Sequence, residues 1–110
     1  MQIISKSAGL NERQVFQVTQ NGTAQKVKEN NGRTFDVVEY VLYKDALEGE
    51  EERELVALVT SDGDVIASNS PTVIRQFKKM LDTFTLPITN VQIQQGTSKN
   101  GRAYYNLILA

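Results

Sequence analysis

Lys99, Arg102, Tyr104 and Tyr105, in the closing stretch TSKNGRAYYNLILA, pair cations with aromatic rings in a pattern suited to binding something charged and flat. An aromatic ring with a free face stacks on a nucleobase for roughly 1 to 3 kcal/mol, and cations beside it neutralise phosphates. A second cluster, SDGD at 61–64, is the one compact acidic group that suggests oxygen ligands for a metal. The ligand pattern of an EF-hand loop does not follow it, and a glycine-containing turn between two strands accounts for it. The chain has no cysteine and no histidine, which removes disulfides, thiolate chemistry, zinc sites and the usual imidazole base. No nucleophile stands beside a base, so the expectation is a non-enzyme without cofactor or metal.

Charge is segregated. The net charge is −1, but residues 1–44 carry +2, residues 45–66 carry −7 and residues 67–110 carry +4. Local potential decides anion binding, so an acidic total does not exclude a polyanion partner. With 110 residues and 40% hydrophobic content, the chain suits a single domain spanning 1–110. No apolar run approaches the roughly 18 to 20 residues that cross a bilayer, and MQIISKSAGLNER lacks the long apolar segment and small-residue cleavage site of a signal peptide. A cytoplasmic protein without a membrane partner is expected.

The secondary structure around these residues reads as mostly β. Asn21-Gly22 suits a two-residue hairpin turn, which pairs Phe16 with Val27. Asn30-Asn31-Gly32 suits a three-residue loop that pairs Val27 with Phe35, giving a three-strand meander. The third strand, RTFDVVEYVLYK at 33–44, sets Phe35, Val37, Val41 and Tyr43 on one face and Val38, Tyr40 and Leu42 on the other. Both faces are partly apolar, as in a strongly curved sheet or a strand whose faces a bulge exchanges midway. DALEGEEERE at 45–54 reads as a solvated loop, and Leu55–Val59 with Asp64–Ala67 as a short hairpin. One helix is expected at about 71–84: Ser70 caps it, Pro71 opens it, and Val73, Ile74, Phe77, Met80, Leu81 and Phe84 recur at helical spacing. Arg75, Lys78 and Lys79 lie on its opposite face, and Pro87 follows it.

In the closing hairpin a two-residue Asn100-Gly101 loop would set Leu107 and Leu109 against glutamines. A three-residue Lys99-Asn100-Gly101 loop, with glycine left-handed in third place, instead opposes Val91, Ile93 and Gln95 to Leu109, Leu107 and Tyr105. Tyr105, Leu107 and Leu109 then point inward, and Arg102, Tyr104, Asn106 and Ile108 share the outer face.

The stretches LVTSDGDVIASNSPTVIRQFKKML and ITNVQIQQGTSKNGRAYYNLIL resemble the C-terminal half of small single-stranded DNA-binding proteins from phages and mobile elements of Gram-positive bacteria. The resemblance covers residues 58–109. It implies an OB-like or related small barrel that coats single strands during replication or recombination in the cytoplasm, with contacts at Lys99, Arg102 and Tyr104. The sequence departs from the bacterial single-strand-binding pattern in lacking tryptophan and in ending NLILA where an acidic tail would recruit partners. About seven strand segments also exceed the five of a simple OB barrel. The expected fold is thus β-rich α+β, an OB-like barrel or curved antiparallel sheet with one helix. The expected partner is single-stranded nucleic acid, with bases on Tyr104, Tyr40 or Tyr43 and phosphates on Lys26, Lys28, Arg33, Lys99 and Arg102. Lys26 and Lys28 would share a strand face, with Arg33 at the next turn. The alternative is a phage structural or assembly protein that oligomerises through sheet edges such as LILA. A homo-oligomer fits either reading.

Overall fold

The computed structural model describes residues 1–46 and 49–110. They form β1 (Gln2–Lys6), α1 (Glu12–Gln20), β2 (Gln25–Lys26), a 3-10 turn (Val27–Asn30), β3 (Thr34–Asp45), β4 (Arg53–Thr60), β5 (Val65–Ser68), α2 (Pro71–Thr83), β6 (Ile88–Thr97) and β7 (Ala103–Leu109). The strands make one curled sheet in the order β2-β5-β4-β3-β6-β7, with β1 paired to β3. The architecture is mostly β, a half-barrel compatible with a small OB-like fold. No helix among the described residues is long and apolar enough to cross a membrane.

α2 forms as its sequence dictates. The Ser70 hydroxyl accepts the Val73 N–H, Pro71 occupies the first turn, and the Phe84 N–H closes the last turn on the Met80 carbonyl. Its buried stripe, Val73, Ile74, Phe77 and Met80, packs on the inner sheet face against Phe35, Leu58, Ile93 and other buried residues. A second, smaller cluster forms on the outer face, where Leu10 and Val15 meet Val41, Tyr43 and Ala57.

β3 explains both clusters. Opposite β4 its register shifts between Val37 and Glu39, so Val38 is an extra residue and the side-chain alternation reverses there. Phe35, Val37 and Leu42 therefore share the inner core, with Tyr40 packed against it, while Val41 and Tyr43 turn outward under α1. The bulge is the feature that divides the long apolar strand between two cores. It corrects the placing of Val41 and Tyr43 on one face with Phe35 and Val37, and it is the midway bulge that the strand's two apolar faces left open as one of two explanations.

The meander is not formed. The strand expected before Asn21-Gly22, carrying Phe16, is instead α1, and the described residues hold two α-helices. The Asn11 side chain accepts the Gln14 N–H at 2.9 Å and the Gln14 side chain accepts the Asn11 N–H at 2.9 Å, a reciprocal cap. Asn21-Gly22 ends this helix instead of turning a hairpin, with Gly22 at φ +70°; glycine past a helix end and glycine in a hairpin use the same left-handed freedom. β2 then pairs parallel with β5, not with β3, and Val27 lies in the 3-10 turn. Leu55–Val59 and Asp64–Ala67 do form the β4–β5 hairpin around the SDG turn.

Candidate nucleic-acid interface

The β6–β7 hairpin has the register that its residues dictate: Val91, Ile93 and Gln95 oppose Leu109, Leu107 and Tyr105. Gly101 takes φ +76°, its N–H reaches the Ser98 carbonyl at 2.9 Å, and the Ser98 N–H reaches the Arg102 carbonyl at 2.9 Å. Val91, Ile93 and Leu107 are buried, and Tyr105 packs against the inner core. Arg102, Tyr104, Asn106 and Ile108 fall on the outer face beside Gln92, Gln94 and Gly96.

Tyr104 sits directly across from Gly96, and the pair shapes the site. A Cβ at Gly96 would lie 2.4 Å from Tyr104 Cζ and 2.8 Å from Cε2. The ring therefore fills the space a side chain would take and lies down across the neighbouring strand. Cross-strand aromatics cover glycines in this way. The ring end covers Gly96, yet Tyr104 remains 44% exposed. Glycine at 96 was the sequence signal for this arrangement, since the register already put it opposite an aromatic.

The surroundings are amides and cations. The neighbouring outer pair is Gln94 and Asn106, followed by Gln92 and Ile108, and no aspartate or glutamate occurs after Asp82. Gln76 of α2 donates to Asn106 Oδ1 at 2.8 Å and accepts the Leu107 N–H at 2.7 Å. Its amide thus covers the β7 edge at Leu107, the strand end expected to recruit another chain. The Asn31 side chain donates to Gln95 Oε1 at 3.2 Å and accepts the Gln95 N–H at 3.1 Å, tying the hairpin stem to the turn before β3. Of the stretch 45–54 expected as a loop, residues 47–48 lie outside the described residues, while Asp45 ends β3 and Arg53 and Glu54 begin β4; the described acidic residues adjoin the far end of β3. Twelve residues of strand, each advancing roughly 3.3 Å, hold them away from the hairpin.

The other expected contacts are not gathered here. Lys26 ends β2 and Lys28 lies in the 3-10 turn, so they do not share a strand face. Arg33 is clamped by carboxylates, Asp64 at 2.8 Å and Asp62 at 3.2 Å, and its guanidinium also reaches Asn30 Oδ1 and lies 5.8 Å from the Phe35 ring centroid. Arg33 thus fastens the SDGD turn to the start of β3. Arg33→Ala should cost about 1 to 2 kcal/mol in urea unfolding, the scale of a partly exposed network. On the helix, Lys78 pairs with Glu54 at 2.6 Å.

Two tyrosines are withdrawn from stacking. Tyr40 points inward, edge-on to Phe77 with centroids 5.4 Å apart, and its hydroxyl is 2.8 Å from Ser5 Oγ. Tyr43 is only 4% exposed; burial, and secondarily the Asp45 charge, raises the pKa of its phenol. A raised folded pKa contributes stability that is whole below the unfolded value of about 10 and is lost as pH rises through the folded value. Tyr43→Phe should remove that alkaline loss, flattening stability against pH above this range; an identical alkaline slope in the variant would contradict it.

The sequence matches no protein-family model, and neither curated proteins nor solved structures give a match.

Proposed function

We propose that the chain is a single-stranded DNA-binding protein without sequence specificity, its strand crossing the outer face of the β6–β7 hairpin. The carrying observation is the Tyr104 ring laid across Gly96, half exposed on a sheet face that has Arg102 and Lys99 at one end and no carboxylate on either strand. Stacking on a π face is indifferent to base identity, and cations hold phosphate without reading sequence. Gln94 and Asn106 can hydrogen-bond the edges of unstacked bases. Coating of single strands in phage or mobile-element replication or recombination, the role the resemblance implies, belongs to the same reading.

The test is electrostatic. Each phosphate neutralised on a single strand contributes about 0.7 to the slope of log affinity against log salt. Lys99→Gln/Arg102→Gln should therefore lower affinity for oligothymidine at low salt and flatten that slope by about 1.4, two phosphates' worth. Unchanged affinity and slope would remove the hairpin from the interface.

A further inference from the structure

The outer face carries a second feature, beside α1. A groove of about 500 Å³ opens between β1 and α1, with Leu10 and Val15 in its floor and Met1, Ile3 and Phe16 on its rim. Those three rim residues are 56%, 43% and 59% exposed, an apolar concentration that a lone soluble domain rarely leaves to water. α1 buries Val15 and half-buries Val18, which turns Phe16 outward. Beside it, β1 pairs with β3 alone among the described residues, so its outer backbone edge has no strand partner. The lining also carries Glu12 and Lys6, whose Nζ donates to the Leu10 carbonyl at 2.8 Å, while the N-terminal ammonium of Met1 faces Asp45 at 3.9 Å.

We propose that this face is the contact between two copies of the chain, related by a two-fold axis, each setting its Phe16 into the other's groove. A two-fold interface needs a patch that complements itself. Here an apolar rim meets an apolar floor, and Lys6 of one copy comes opposite Glu12 of the other. The mixed rim disfavours a polyanion and a purely basic or acidic partner, whereas a second copy brings both charges together with the same apolar rim. The register shift between Ile3 and Ser5 breaks the regular edge of β1, and bulged edges resist open-ended strand pairing. Side-chain packing, not edge pairing, therefore carries the contact, and the assembly closes as a dimer. A dimer joins two hairpin faces and makes binding of a long strand bivalent. The interface itself does not depend on the nucleic-acid reading.

Sedimentation velocity of the full chain over a concentration series tests it. The wild type should show a reversible monomer–dimer equilibrium, and Phe16→Glu should weaken it by about 30-fold or more, as loss of a central aromatic does, with circular dichroism unchanged. Glu12→Lys should also weaken the dimer, and Lys6→Glu/Glu12→Lys should restore it. A chain that stays monomeric throughout, or a dimer indifferent to Phe16→Glu and to the charge swap, overturns the proposal. Should Phe16→Glu fail to fold, the charge-swap series decides alone.

Discussion

Tyr104→Ala should lower affinity for oligothymidine by about 5- to 150-fold, the range that loss of one stacked base gives, while Tyr104→Phe keeps most of the affinity because the π face remains. The same loss should follow from Gly96→Ala, which removes no contact. Its methyl would enter space held by the Tyr104 ring, 2.4 Å from Cζ, and must lift the ring off the sheet. Gly96 is thus a positioning residue whose effect passes through Tyr104. In Tyr104→Ala the ring is gone, so adding Gly96→Ala should cost nothing further. A full second penalty in the double variant would mean that the glycine acts otherwise. Thermal stability should move little in Tyr104→Ala, because one cross-strand pair on an open face contributes roughly 0.2 to 1 kcal/mol.

Phe77→Ala should have the opposite signature, a large loss of stability from a position that touches no ligand. Phe77 is fully buried and stands edge-on to Tyr40, joining α2 to the inner face of the sheet. Truncating a buried phenylalanine costs about 3 to 5 kcal/mol through lost burial and the cavity left behind. Against a total stability of about 5 to 15 kcal/mol, that brings the domain close to unfolding. Urea unfolding checks it, and a loss under about 1 kcal/mol, the level of surface substitutions and aromatic-pair effects, would mean that α2 does not key the inner core as described.

These contrasting sites differ in how far the sequence disclosed them. The β6–β7 register was legible because a single loop length set Val91, Ile93, Tyr105 and Leu107 on one face, and glycine at 101 fixed that length; Leu109, expected to point inward with them, lies at the strand end and is 45% exposed. α2 was legible because Ser70, Pro71 and the spacing from Val73 to Met80 all say the same thing. α1 was hidden by Asn21-Gly22, whose left-handed glycine serves a helix end as well as a hairpin. The signal that distinguishes the two was Asn11 with Gln14, the reciprocal cap.

The placements of the expected site residues have one kind of explanation. Tyr43 was read as a surface aromatic, but the extra residue at Val38 reverses the faces of β3, and α1, itself unforeseen, covers the outer one. Arg33 looked like a phosphate contact because charge was counted along the chain, whereas its partners Asp62 and Asp64 come from a hairpin distant in sequence. Lys99, Arg102 and Tyr104 keep their expected placement because their neighbours in space are their neighbours in the hairpin. Local pairing can be read from sequence; long-range pairing decides the rest.

Fluorescence anisotropy of a labelled oligothymidine, titrated with the protein at low and moderate salt beside a matching duplex, decides whether the hairpin face binds single strands. Binding should be tight, favour the single strand and weaken as salt rises. Absence of binding at low salt, or equal affinity for the duplex, would contradict this expectation and return Tyr104 to the role of a packed residue covering Gly96.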